Sequence, residues 1–154
     1  CNPGDAKGHS ELTENTKQLN RQYKDRFLKP VFDQSTALLN IPTAQESPIL
    51  EMLQMVNLNS LQRHNVSGPK QLIVLSDLLQ NSKQISMYKS VPSFESFDLT
   101  SYAQKTKSSF TGIDVKVHLL QNAPALQKQN LLDFWKNYFK NSGATSYELV
   151  ALPG

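Results

Sequence analysis

Few residues in this chain are of a type and spacing to do chemistry, and the best placed is Asp77. It follows the apolar run Leu72-Ile73-Val74-Leu75-Ser76, and a carboxylate at the carboxyl end of such a strand sits where open α/β sheets gather their ligands. There it would act as a hard oxygen ligand for a metal ion. Its plainer role is that of a turn residue, which aspartate also favours. Ser47, just ahead of Pro48, offers a hydroxyl at a helix start. Its plainer role is the helix cap, and the amides behind it also suit an anion. His9, His64 and His118 are far apart and lack a cysteine or histidine at ligand spacing, so zinc is not indicated. No Gly-x-Ser-x-Gly elbow activates a serine, and neither Gly-x-Gly-x-x-Gly nor a Walker A loop cradles a phosphate. Cys1 is the sole cysteine, and nothing beside it marks a reactive thiol.

The elements that must position Asp77 and Ser47 follow from hydrophobic period. Cys1 to Ser10 holds Pro3, Gly4 and Gly8 and reads as loop, with Ser10 capping a long helix. Leu12, Leu19, Tyr23, Phe27, Val31 and Leu38 recur at spacings of seven and four, one helical stripe to about Leu39. Pro30 predicts a kink or break near Leu28 and Lys29, because it removes a donor and crowds the preceding turn. A second helix starts at Ser47-Pro48 and buries Ile49, Leu50, Leu53, Val56 and Leu61. The continuous apolar run Gln71 to Ser76 suits a parallel strand covered on both faces. Val91 to Thr100, with Pro92, reads as irregular, and Tyr102 to Phe110 as a short helix.

Ile113 to Leu120 alternates Ile113, Val115, Val117 and Leu119 with more polar neighbours, the period of a strand. Ala125 to Asn141 then sets Leu131, Leu132, Trp135, Tyr138 and Phe139 at helical spacing, with Gly143 as the stop. Tyr147 to Leu152 is a last strand. The aromatic stripe is better read as core than as a binding face, and Lys24, Arg26, Lys29, Lys136 and Lys140 as solvated helix faces. Helices alternating with strands predict an α/β parallel sheet.

With 154 residues, 38% of them hydrophobic, the chain suits one folded domain. Sixteen basic against 13 acidic residues leave a formal charge of +3, too weak and dispersed for nucleic-acid binding. No stretch approaches the roughly 20 apolar residues of a membrane span. The lack of disulfides leans towards the cytoplasm. Mature lipoproteins also begin with cysteine, but here Asn2-Pro3-Gly4 reads as a turn rather than a tether.

Four features carry a family resemblance: Cys1-Asn2-Pro3-Gly4 before a long helix, Gln45 to Leu50 opening the next, Leu72 to Ser82 at a strand end, and the Phe134-Trp135 helix followed by Gly143-Ala144. In this order and spacing the chain resembles bacterial von Willebrand factor A-like domains, from the third strand of that fold onward. The resemblance implies a doubly wound, mostly parallel sheet and a metal-ion-dependent adhesion site that takes magnesium or manganese. Carried over by position, Asp77 matches the third-loop carboxylate and Ser47 the second-loop hydroxyl. The first motif, Asp-x-Ser-x-Ser, is missing: Asp33-Gln34-Ser35-Thr36 lacks the final serine and lies in a helical stripe. Asp77-Leu78 also replaces the usual Asp-Gly.

The resemblance thus implies a protein-interaction module whose partner meets the strand-end face at Ser47 and Asp77. Its missing strands are expected upstream of Cys1 or from another chain. The rival is a doubly wound hydrolase in which Asp77 and an upstream carboxylate hold a metal-activated water. A purely structural subunit is the third alternative.

Overall fold

The computed structural model describes residues 16–39, 45–62 and 68–153. The chain divides into two units, Cys1–Ala44 and Gln45–Gly154. In the first, helices α1 (Thr16–Tyr23) and α2 (Lys29–Leu39) are joined by a π-helical turn, Lys24–Leu28. The expected disturbance near Pro30 takes this form: the Lys29 N–H donates to the Lys24 carbonyl, five residues back. A π turn re-spaces the ladder where proline removes a donor. Tyr23 and Phe27 stack one turn apart, centroids 5.5 Å distant. The predicted cap Ser10, like Cys1, His9 and His64, lies outside the described residues.

The second unit is a three-stranded parallel sheet in the order β1 (Lys70–Ser76), β2 (Ile113–Gln121), β3 (Ser146–Pro153). Helix α3 (Ile49–Val56) precedes it and continues as a π turn, Asn57–Leu61. α4 (Phe94–Asp98) and α5 (Ser101–Lys105) lie between β1 and β2, and α6 (Gln129–Asn141) between β2 and β3. The α/β parallel class is therefore observed. α4 corrects the irregular reading of 91–100: Ser93 accepts from the Ser96 N–H at 3.2 Å, a side-chain cap that starts a helix directly after Pro92. Thr100 caps α5 in the same way, from the Ala103 N–H at 3.0 Å.

Register decides which side chains face the core. Leu72, Val74 and Ser76 stand beside Val115, Val117 and Leu119, which stand beside Tyr147, Leu149 and Ala151. Against this face pack Leu131, Phe134, Trp135, Tyr138 and Phe139 of α6, all buried, as expected of the aromatic stripe. Phe134 meets Phe94 and Phe97 of α4 edge-on, centroids 6.1 and 5.2 Å away. The five basic residues read as solvated, Lys24, Arg26, Lys29, Lys136 and Lys140, are exposed.

Gly143 has φ +83°, and a Cβ there would come within 2.8 Å of the Thr111 hydroxyl. The helix stop thus needs glycine for conformation and for space.

The opposite face corrects a second expectation. Gln71, Ile73 and Leu75 of β1 align with Asp114, Lys116 and His118 of β2, and Ile73 and Leu75 are 61% and 63% exposed. Among the described residues β1 is covered on one face, not two. Among the described strands the order has no reversal, so a right-handed crossover lays the helices between them on the same side.

Phe134→Ala is expected to cost about 3–5 kcal/mol in urea unfolding, and Ile73→Thr to stay within about 0.5 kcal/mol; equal losses would reverse the assignment of the two faces. A second expectation concerns alkali. Burial pushes the Tyr147 hydroxyl up to about 12, and burial likewise pushes Tyr138 to about 12 against the downward pull of Ser108 and Ser142. The unfolded chain loses these protons near its ordinary value of about 10. Their stabilising contribution is therefore complete below about pH 10 and lost as pH rises towards about 12. Tyr138→Phe/Tyr147→Phe should flatten the fall of stability measured over that range.

Candidate functional site

β1 ends in a turn whose backbone is held by side chains from three directions. The Leu78 N–H bonds the Ser76 hydroxyl at 3.0 Å, and the Leu79 N–H bonds Asp77 Oδ1 at 3.0 Å. These are two overlapping side-chain turns. Gln127, in the loop after β2, donates to the Asp77 carbonyl at 3.0 Å and to the Leu120 carbonyl at 2.6 Å. One amide group thereby ties the ends of two strands. Trp135 of α6 donates its indole N–H to the Leu78 carbonyl at 2.8 Å in the buried interior.

Between these restraints Leu78 adopts φ +62° while wholly buried. A left-handed conformation costs a residue with a Cβ roughly 1–2 kcal/mol. Glycine would take it without strain. Here leucine fills the core under the turn, and the surrounding hydrogen bonds hold the backbone in place.

Asp77 thus serves as the turn residue of its plainer reading. Its carboxylate also faces Tyr88, whose hydroxyl is held above its ordinary pKa by burial first and by the charge and hydrogen bond of Asp77 next. Ser47 reaches the same turn through its backbone: its N–H donates to the Asn81 carbonyl at 2.7 Å, and the Asn81 N–H returns to the Ser47 carbonyl at 2.8 Å. Helix α3 starts one residue later than expected. Pro48 holds the cap position and makes no side-chain cap bond, so Ser47 is not a side-chain N-cap; the first-turn Leu50 N–H bonds Gln80 instead. Ser47 and Asp77 therefore belong to one turn assembly, Ser47 bridging to a residue four along from Asp77.

Sequence reasoning missed the groups that pin this assembly. Gln80 is fully buried; its Oε1 accepts the Leu50 N–H at 2.9 Å and its Nε2 donates to Glu51 Oε2 at 3.2 Å and to the Tyr102 hydroxyl at 3.0 Å. Tyr102 donates to Glu51 Oε1 at 2.6 Å and shares a 3.2 Å contact with Ser82. Burial, then the hydrogen bond to Glu51, drives the Tyr102 pKa far upward. Gln80 follows two buried leucines in sequence, and nothing in its own pattern foretold a buried amide.

Among the described residues no three His, Cys, Asp or Glu side chains converge as a metal-binding group, and none of their helices is long and apolar enough to cross a membrane. Two oxygens from Ser47 and Asp77 fall short of the six or so that magnesium takes, so these residues alone do not make a cation site. Comparison with family models, curated proteins and solved structures gives no match.

Leu78→Gly is expected to be about 1 kcal/mol more stable than Leu78→Ala in denaturant titration, the reverse of the usual order, because only glycine relieves the left-handed backbone. An alanine variant at least as stable as the glycine variant would mean that the turn carries no such strain.

Proposed function

We propose that this chain is a protein-interaction module of the von Willebrand factor A-like, doubly wound class, and that its partner meets the turn at the end of β1 around Asp77 and Ser47. The observation that carries the reading is buried Leu78 at φ +62°. Backbone held in a sparsely populated conformation persists only where its surroundings over-determine it, and such points cluster at ligand clamps and switches. The turn also stands at the carboxyl end of a parallel strand, where α/β sheets present their binding loops. A divalent ion such as Mg2+ or Mn2+ enters this proposal only with further oxygen ligands from outside the described residues or from the partner itself.

A photo-crosslinking residue at exposed Lys89, next to Tyr88, in the intact chain within its native cell tests the reading. It should trap a discrete partner, and Asp77→Asn should cut the yield about fivefold or more. Asparagine keeps an oxygen for the Leu79 N–H, so the turn survives the loss of charge. The same probe at Lys136 on α6 should trap nothing. An undiminished yield with Asp77→Asn would remove Asp77 from the contact surface.

A further inference from the structure

The two edges of the sheet are built differently. β3 carries Glu148, paired with Lys116 at 3.1 Å, and ends in Pro153, which has no N–H to donate. A charge and a proline are how sheet edges are blunted against further pairing. From Gln71 to Ser76, β1 has no charge and no proline, and among the described residues it pairs with β2 alone. In a parallel strand alternate N–H and C=O groups point away from the neighbour, so this side of β1 offers a row of donors and acceptors.

Helix α3 runs alongside. Ile49, Met52, Leu53 and Val56 form one wall of a groove of about 300 Å³, and β1 from Leu72 to Ser76 forms the other, with Ser47 at its end. Among the described residues no charged side chain lines the groove. Beyond its Ser47 and Ser76 end stand Glu46 and Asp77, neither of them in an ion pair among the described residues.

We propose that the groove takes an extended segment of a partner protein, added to the sheet as a strand beside β1. This segment is uncharged over the roughly five residues that match β1 and carries Lys or Arg at the end reaching Glu46 and Asp77. Main-chain hydrogen bonds along β1 hold any such strand, and the side chains it turns towards Met52 and Leu53 give selectivity. A charged side chain inside the groove would lose its water with no counter-charge to meet it. The two acids at one end set the direction of the bound strand. The inference rests on the reading of the chain as an interaction module, but on the edge of β1 rather than on the turn as the point of contact.

The test selects segments of about eight residues from a random peptide display library on the intact chain, then follows amide exchange in the complex. Enriched segments should have an uncharged centre and a basic end, and they should slow exchange of alternate Gln71 to Ser76 amides by about tenfold or more. Met52→Lys should weaken them about tenfold while leaving the Lys89 crosslink intact, and Lys136→Ala should do neither. N-methylation of alternate peptide amides should abolish binding. Failure to enrich, enrichment of segments charged at the centre, or unchanged β1 exchange overturns the proposal. So does β1 protection that grows with protein concentration in the absence of peptide, which would give the edge to a second copy of the chain. Glu46→Gln should weaken basic-ended segments about fivefold while leaving the Lys89 crosslink intact, which separates the groove from the turn, and unaltered peptide binding in that variant overturns the proposed basic end.

Discussion

The hydrogen bond from the Trp135 indole to the Leu78 carbonyl is the constraint on which the rest of this fold turns. Trp135 is fully buried in α6, and Leu78 is fully buried in a turn that left-handed backbone geometry disfavours. An indole N–H inside a core must find an acceptor, and a carbonyl tilted inward by a left-handed residue must find a donor. Each group supplies what the other lacks. Because α6 is also held to β3 by Phe139 stacked on Tyr147, and to α4 by Phe134 against Phe94 and Phe97, the turn inherits the rigidity of the core. Gln127 and Gln80 extend the same logic outward, each amide bonded to groups from separate parts of the chain.

Much of the architecture was legible in the sequence because period and burial agreed there. The alternation from Ile113 to Leu119 marked the central strand, whose four inward residues are all buried. The spacing of Leu131, Trp135, Tyr138 and Phe139 marked the helix that covers it. α4 was overlooked because Pro92 and the irregular polarity around it outweighed a local signal, Ser93 followed by phenylalanines three apart. β1 was misjudged for a different reason. A run such as Leu72-Ile73-Val74-Leu75 reads as apolar on both sides whether or not both sides are covered.

The candidate site was legible only in outline. Asp77 and Ser47 could be set at a strand end and a helix start, and the structure joins them through Asn81. The left-handed backbone at Leu78 had no sequence signature, since glycine or asparagine is what announces that conformation. The Gln80, Glu51 and Tyr102 network spans separations that no local pattern encodes. Ser47 as a side-chain cap failed for a physical reason: its backbone is bridged to Asn81, and Pro48 takes the capping position.

The strand order carries a kinetic meaning as well. Pairing β1 with β2 and β2 with β3 closes loops of roughly forty and roughly thirty residues, and loop-closure entropy grows only slowly with length. Neither pairing has a marked head start, and both need β2. The search for the native state therefore converges on one segment, Ile113 to Leu119, which must be extended before either neighbour can register against it. Parallel pairings of this kind are non-local and slow to form, so while the chain waits the same apolar strand is its most exposed liability.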